Sequence, residues 1–82
     1  MQADFDATYA TGYRSVLRAV VLLTPSVEDA HDLTSEAWVR AYDRWASVGE
    51  LAAPVAWVRR VAVNAAVDAR RREGSRWRAY RR

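Results

Sequence analysis

The stretch AWVRRVAVNAAVDARRRE, Ala56 to Glu73, decides the fold, because its apolar residues recur at the spacing of a helix and nowhere alternate as a strand would. Placing each residue 100° after its predecessor gathers Val55, Val58, Ala62, Ala65, Ala66 and Ala69 on one stripe. The alanines allow a neighbouring helix to approach closely, so the stripe calls for a bundle. Directly opposite lie Arg60, Asn64, Val67 and Arg71, flanked by Trp57 and Val63. A solvated face would carry glutamate and lysine. An apolar face studded with arginine expects either cover from another helix or a ligand that offers both phosphates and flat apolar groups, as nucleic acid does. For Trp57, Val63 and Val67 both readings stay open. Arg60 and Arg71 point to phosphate contact. Asn64 costs helix propensity relative to alanine and can present a donor and an acceptor together to a base edge.

Working outward, Pro54 suits the first turn of this helix and Gly74 reads as its C-terminal cap, which gives a helix over about 54–73. SVGELAA, Ser47 to Ala53, reads as a loop turning at Gly49. Before it a second helix spans about 27–46, opened by Ser26 and Asp29 in a capping-box-like start. It buries Ala30, Leu33, Thr34, Ala37, Trp38, Ala41 and Trp45, and turns Asp32, Glu36, Val39 and Asp43 outward. A first helix over about 4–23 carries Phe5, Tyr9, Gly12, Tyr13, Val16, Val20 and Leu23 along one stripe. The expectation is an all-α fold, a compact bundle of three main helices with a basic C-terminal tail. Residues 1–74 form the helical domain; 75–82, SRWRAYRR, form the tail or the start of a linker, with Trp77 and Tyr80 as further candidates for nucleic-acid contact.

Composition narrows the function classes. With no cysteine and one histidine, His31, the chain lacks the usual zinc ligand sets, and no cofactor or metal is expected. No nucleophile, base and orienting group come together in the sequence, so it does not read as an enzyme; Asp4, Asp6, Glu28 and Asp29 read as helix-start acids. No apolar run reaches the roughly 18 residues of a membrane span and the acidic beginning is unlike a signal peptide, so a cytoplasmic location is expected. Charge is segregated: Met1 to Val58 holds four arginines against eight carboxylates, net −4, and Arg59 to Arg82 holds nine arginines against two, net +7. That polarity suits a polyanion at one end and a basic partner at the other.

The order of these features resembles region 2 of bacterial sigma factors of the extracytoplasmic-function class, from Phe5 to Arg72. DAHDLTSEAWVRAY, Asp29 to Tyr42, is similar to the family's D-A-E-D-L-V-Q-E-x-F-x-R-A-W, and AWVRRVAVNAAVDARRR, Ala56 to Arg72, to its A-W-L-x-x-I-A-x-N-x-x-x-D-x-x-R. His31 stands where the pattern has an acid, Thr34 where it has an apolar residue and Ser35 where it has glutamine. The resemblance implies a module that ties core RNA polymerase to promoter DNA. The second helix would dock on the clamp helices of the polymerase's largest subunit through His31, Asp32, Ser35, Glu36, Val39 and Tyr42. The third helix and the loop before it would recognise the minus-ten element and hold a base flipped from the non-template strand. The positions carried over are Arg60 and Asn64 with Ser47, Val48, Gly49, Glu50 and Leu51; Arg59, Arg71, Trp57 and Val67 join them as candidates on the same helix.

Two other classes stand beside this one: a general basic nucleic-acid-binding helical module, which leaves the acidic second helix unexplained, and an interaction domain bound by an anti-sigma regulator, which is compatible with the first. The family's helix-turn-helix domain for the minus-thirty-five element has no residues here, so a piece of a longer protein is expected. The promoter sequence, the inducing signal, the regulator and the oligomeric state are not encoded in any recognisable pattern.

Overall fold

Asp4 starts the first helix. Its carboxylate accepts from the Ala7 N–H at 3.1 Å, occupying an amide that helix geometry leaves unpaired. The computed structural model describes the backbone of residues 2–81 and side chains as far as Ser75. Its elements are α1 (Phe5–Val21), α2 (Val27–Asp43), a single turn α3 (Trp45–Val48) and α4 (Pro54–Arg81), with no strand among the described residues. The all-α bundle of three main helices is therefore present, with one short helix added.

The junctions follow from local chemistry. After α1 the Leu23 N–H turns back to the Val20 carbonyl at 2.9 Å, the Thr24 hydroxyl donates to the same oxygen at 3.3 Å, and Pro25 cannot continue a helix. Ser26 then caps α2 by accepting from the Asp29 N–H at 3.1 Å, while Glu28 and Asp29 sit where the helix dipole favours negative charge. Pro54 occupies the first turn of α4, as expected.

The core is where the three stripes meet. Val16 and Val20 from α1, Ala30, Thr34, Ala37, Trp38 and Ala41 from α2, and Val58, Ala62 and Ala66 from α4 are all buried. Each long helix packs on both others. Gly12 permits a close approach of all three long helices: a Cβ there would lie 2.8 Å from Val55 Cγ2 and 3.1 Å from Trp38 Cζ2.

Two boundaries differ from the sequence expectation. The second helix stops at Asp43, because Arg44 (φ −114°, ψ 22°) leaves helical geometry, and the chain restarts as α3. The break lets Trp45 turn toward the N-terminal segment, where its indole N–H donates to the Ala3 carbonyl at 2.7 Å and its own carbonyl accepts from the Gln2 amide at 2.6 Å. Secondly, Gly74 does not cap the last helix. The backbone runs through it to Arg81, so the expected tail is helical, and no glycine among the described residues has positive φ. A glycine inside a helix costs about 1 kcal/mol relative to alanine, and here it follows Ala69, Arg70, Arg71, Arg72 and Glu73, all good helix formers.

Candidate functional site

On α4 the face opposite the core is open. Arg60, Asn64 and Arg71 are exposed, and their spacing of four and seven residues holds them on one side over a rise of about 16 Å. Val67 is half-buried and lines a shallow depression with Arg70, Arg71 and Gly74. Trp57 and Val63, which sequence reasoning left between ligand and core, are half-buried and pack against the core cluster. The two readings thus separate along the helix: Trp57 and Val63 lean inward, and Val67 belongs to a surface shared with arginines.

Arg59 differs from its neighbour. It is half-buried, and its Nη2 donates to Ser15 Oγ at 2.6 Å, which ties α4 to α1. Nothing in the spacing announces this bond, since Ser15 lies 44 residues earlier.

The segment before α4 also divides. Ser47 and Glu50 are exposed and Leu51 is 46 % exposed, but Val48 and Gly49 are buried. Val48 sits in the core, and the Gly49 carbonyl accepts from the Ala3 N–H at 3.1 Å. A Cβ on Gly49 would lie 2.7 Å from Gln2 Cγ and 2.8 Å from Trp45 Nε1, so a side chain has no room there. Both residues hold the segment in place, and the surface it offers consists of Ser47, Glu50, Leu51, Ala52 and Ala53. The N-terminal residues that cover this turn are the part sequence reasoning had no means to place.

The outward face of α2 is acidic and unobstructed. His31, Asp32, Ser35, Glu36, Val39 and Tyr42 are all exposed, Val39 at 59 % and Tyr42 at 65 %. Helical spacing arranges them in two adjacent rows, Asp32 and Glu36 leading to Asp43 in one, His31, Ser35, Val39 and Tyr42 in the other. The Tyr13 hydroxyl, reaching from α1, lies 2.8 Å from His31 Nδ1 and 3.3 Å from Ser35 Oγ, and the Tyr13 and His31 rings stack with centroids 5.7 Å apart. One histidine nitrogen is thereby engaged within the domain.

Among the described residues no three His, Cys, Asp or Glu side chains gather to hold a metal ion, and no helix is long and apolar enough to cross a membrane. Trp77 and Tyr80 have side chains outside the described ones. The described surface thus carries a basic, asparagine-bearing helix face on α4 and an acidic face on α2. The family model for sigma-70 region 2 matches residues 8–76, which takes in both faces. No curated protein and no solved structure matches.

Proposed function

The chain belongs to the sigma-70 region 2 family, whose domains act in transcription initiation with core RNA polymerase and promoter DNA, and from that premise we propose that it recognises the minus-ten promoter element and assists in melting it. In this reading α4 meets the non-template strand and α2 docks on the polymerase clamp helices. The motif resemblance of Asp29 to Tyr42 and Ala56 to Arg72 supports the extracytoplasmic-function class.

The observation that carries the proposal is the exposed row Arg60, Asn64 and Arg71 on the face of α4 opposite its buried Val58, Ala62 and Ala66. Melting needs binding energy that only unpaired bases can collect: cations on the backbone, an apolar or aromatic surface under the base, and a polar group on the base edge. Arg60 and Arg71 offer the first and Asn64 the last. Val67 and, across the turn, Leu51 offer apolar surface. On α2, an acidic face bordered by exposed apolar residues is complementary to a basic partner and would steer it electrostatically.

The test is direct. The domain is expected to bind a single-stranded non-template minus-ten oligonucleotide more tightly than a scrambled one of equal composition. Asn64→Ala should reduce that discrimination by about 1–3 kcal/mol at a single base while leaving helix content unchanged. Equal affinity for both oligonucleotides, or an undiminished base preference in the variant, would remove Asn64 and α4 from the reading role.

A further inference from the structure

A continuous line of rings crosses the seam between α1 and α2, beside the acidic row. Tyr42 packs edge-on against Phe5 with centroids 5.1 Å apart, Phe5 stacks on Tyr9 at 6.0 Å, Tyr9 lies 5.4 Å from Tyr13, and Tyr13 stacks on His31 at 5.7 Å. The buried indole of Trp38 supports the middle of the line, edge-on to Phe5 at 6.0 Å and to Tyr9 at 5.3 Å. This strip is not fully consumed by the core. Tyr9 is 41 % exposed and Tyr42 65 %.

We infer that α1 contributes to the polymerase-docking surface: Tyr9 and Phe5 from α1, together with Tyr42 from α2, form an aromatic strip that receives arginine side chains from a basic helix of core RNA polymerase. The inference rests on the docking reading of α2 and names the chemistry of its partner. Two features select arginine. Carboxylates of Asp32, Glu36 and Asp43 stand in the row of α2 next to the one that carries His31 and Tyr42, so a cation over Tyr42 gains charge pairing on one side and a π face on the other. A guanidinium is planar and can lie flat on a ring while its edge donates two hydrogen bonds to a carboxylate; a lysine ammonium is a point charge with neither the flat face nor the fork. The rings are held by one another and by Trp38, so little side-chain freedom is lost on docking.

The experiment measures equilibrium binding of the chain to core RNA polymerase for a set of variants at Tyr9 and Tyr42. Tyr9→Phe and Tyr42→Phe retain a π face and should bind within about twofold of the parent. Tyr9→Leu and Tyr42→Leu retain apolar bulk and helix propensity without a π face, and each should weaken binding about two- to fivefold. Tyr42 reads the α2 side of the strip and Tyr9 the α1 side, and circular dichroism together with the fold-preserving Tyr9→Phe separates loss of contact at Tyr9 from disturbance of the bundle. Leucine variants that bind like the parent, or phenylalanine variants that weaken as much as leucine, overturn the stacking role. Glu36→Arg distinguishes the levels: if it abolishes capture while the leucine variants are silent, α2 docks and α1 does not contribute. If Glu36→Arg binds normally, the docking reading falls and this inference falls with it.

Discussion

Thr34 Oγ1 and Trp38 Nε1, one turn apart on the inner face of α2, are buried with no hydrogen-bond partner. The sequence places both residues on the core stripe correctly, yet it cannot tell whether their polar atoms find partners, because that depends on which atoms of α1 and α4 arrive opposite them. A buried donor or acceptor left unpaired costs about 1–3 kcal/mol. Thr34→Val removes the orphaned hydroxyl and keeps the β-branched shape, so it should stabilise the domain by about 1 kcal/mol, which in a chain of this size raises the thermal midpoint by about 4–8 °C. A lower midpoint in a thermal melt would mean that the hydroxyl has a stabilising partner. Trp38 permits no such gain: shortening it would open a void under Phe5 and Tyr9, whose rings rest on the indole.

At the scale of elements, periodicity carried most of the information. The residues expected inside α2 were Ala30, Leu33, Thr34, Ala37, Trp38, Ala41 and Trp45; five are buried and Leu33 and Trp45 are half-buried. The interruption at Arg44 was illegible because Trp45 stays in phase with Ala41 on a helical wheel, and what turns the chain is a bond to Ala3, 42 residues away. The exposed row on α4 was legible from the same arithmetic, but the inward lean of Trp57 and the Arg59 bond to Ser15 required the packing of α1. Phe5, Tyr9 and Tyr13 were assigned to the core by their spacing of four, and spacing alone does not separate a core position from its rim. Gly74 shows the limit most clearly, since glycine marks a cap only when its φ is positive. Here φ stays negative within α4, so Gly74→Ala should raise helix content and stabilise the C-terminal turns by about 1 kcal/mol. Were Gly74 a left-handed cap, the same change would destabilise by a similar amount, so the sign of the shift in a circular-dichroism melt decides between them.

The whole molecule is elongated, 55 Å by 21 Å by 17 Å, because α4 at 28 residues is about 42 Å long and outruns the helices it packs on. Charge follows that shape: the net −4 of residues 1–58 belongs to α2, since Asp4 and Asp6 balance Arg14 and Arg18 around α1 and Arg44 balances Glu50, and the net +7 of residues 59–82 belongs almost entirely to α4. Segregation of this kind keeps two partners of opposite charge on separate surfaces and discourages each from binding where the other belongs. Its consequence can be read from salt dependence. Binding of a single-stranded oligonucleotide releases counterions, and the logarithm of affinity falls with the logarithm of salt by about 0.7 for each phosphate neutralised. If Arg60 and Arg71 each meet one phosphate, replacing both by alanine should flatten that slope by about 1.4. Glu36→Arg, on the other surface, should leave the slope within error of the parent while abolishing capture by core polymerase. Fluorescence anisotropy of a labelled non-template strand across a salt series, beside a polymerase pull-down, measures both. An unchanged slope in the arginine double variant would move the phosphate contacts to the arginines nearer the end of α4, and a changed slope in Glu36→Arg would mean that the two surfaces are electrostatically coupled rather than separate.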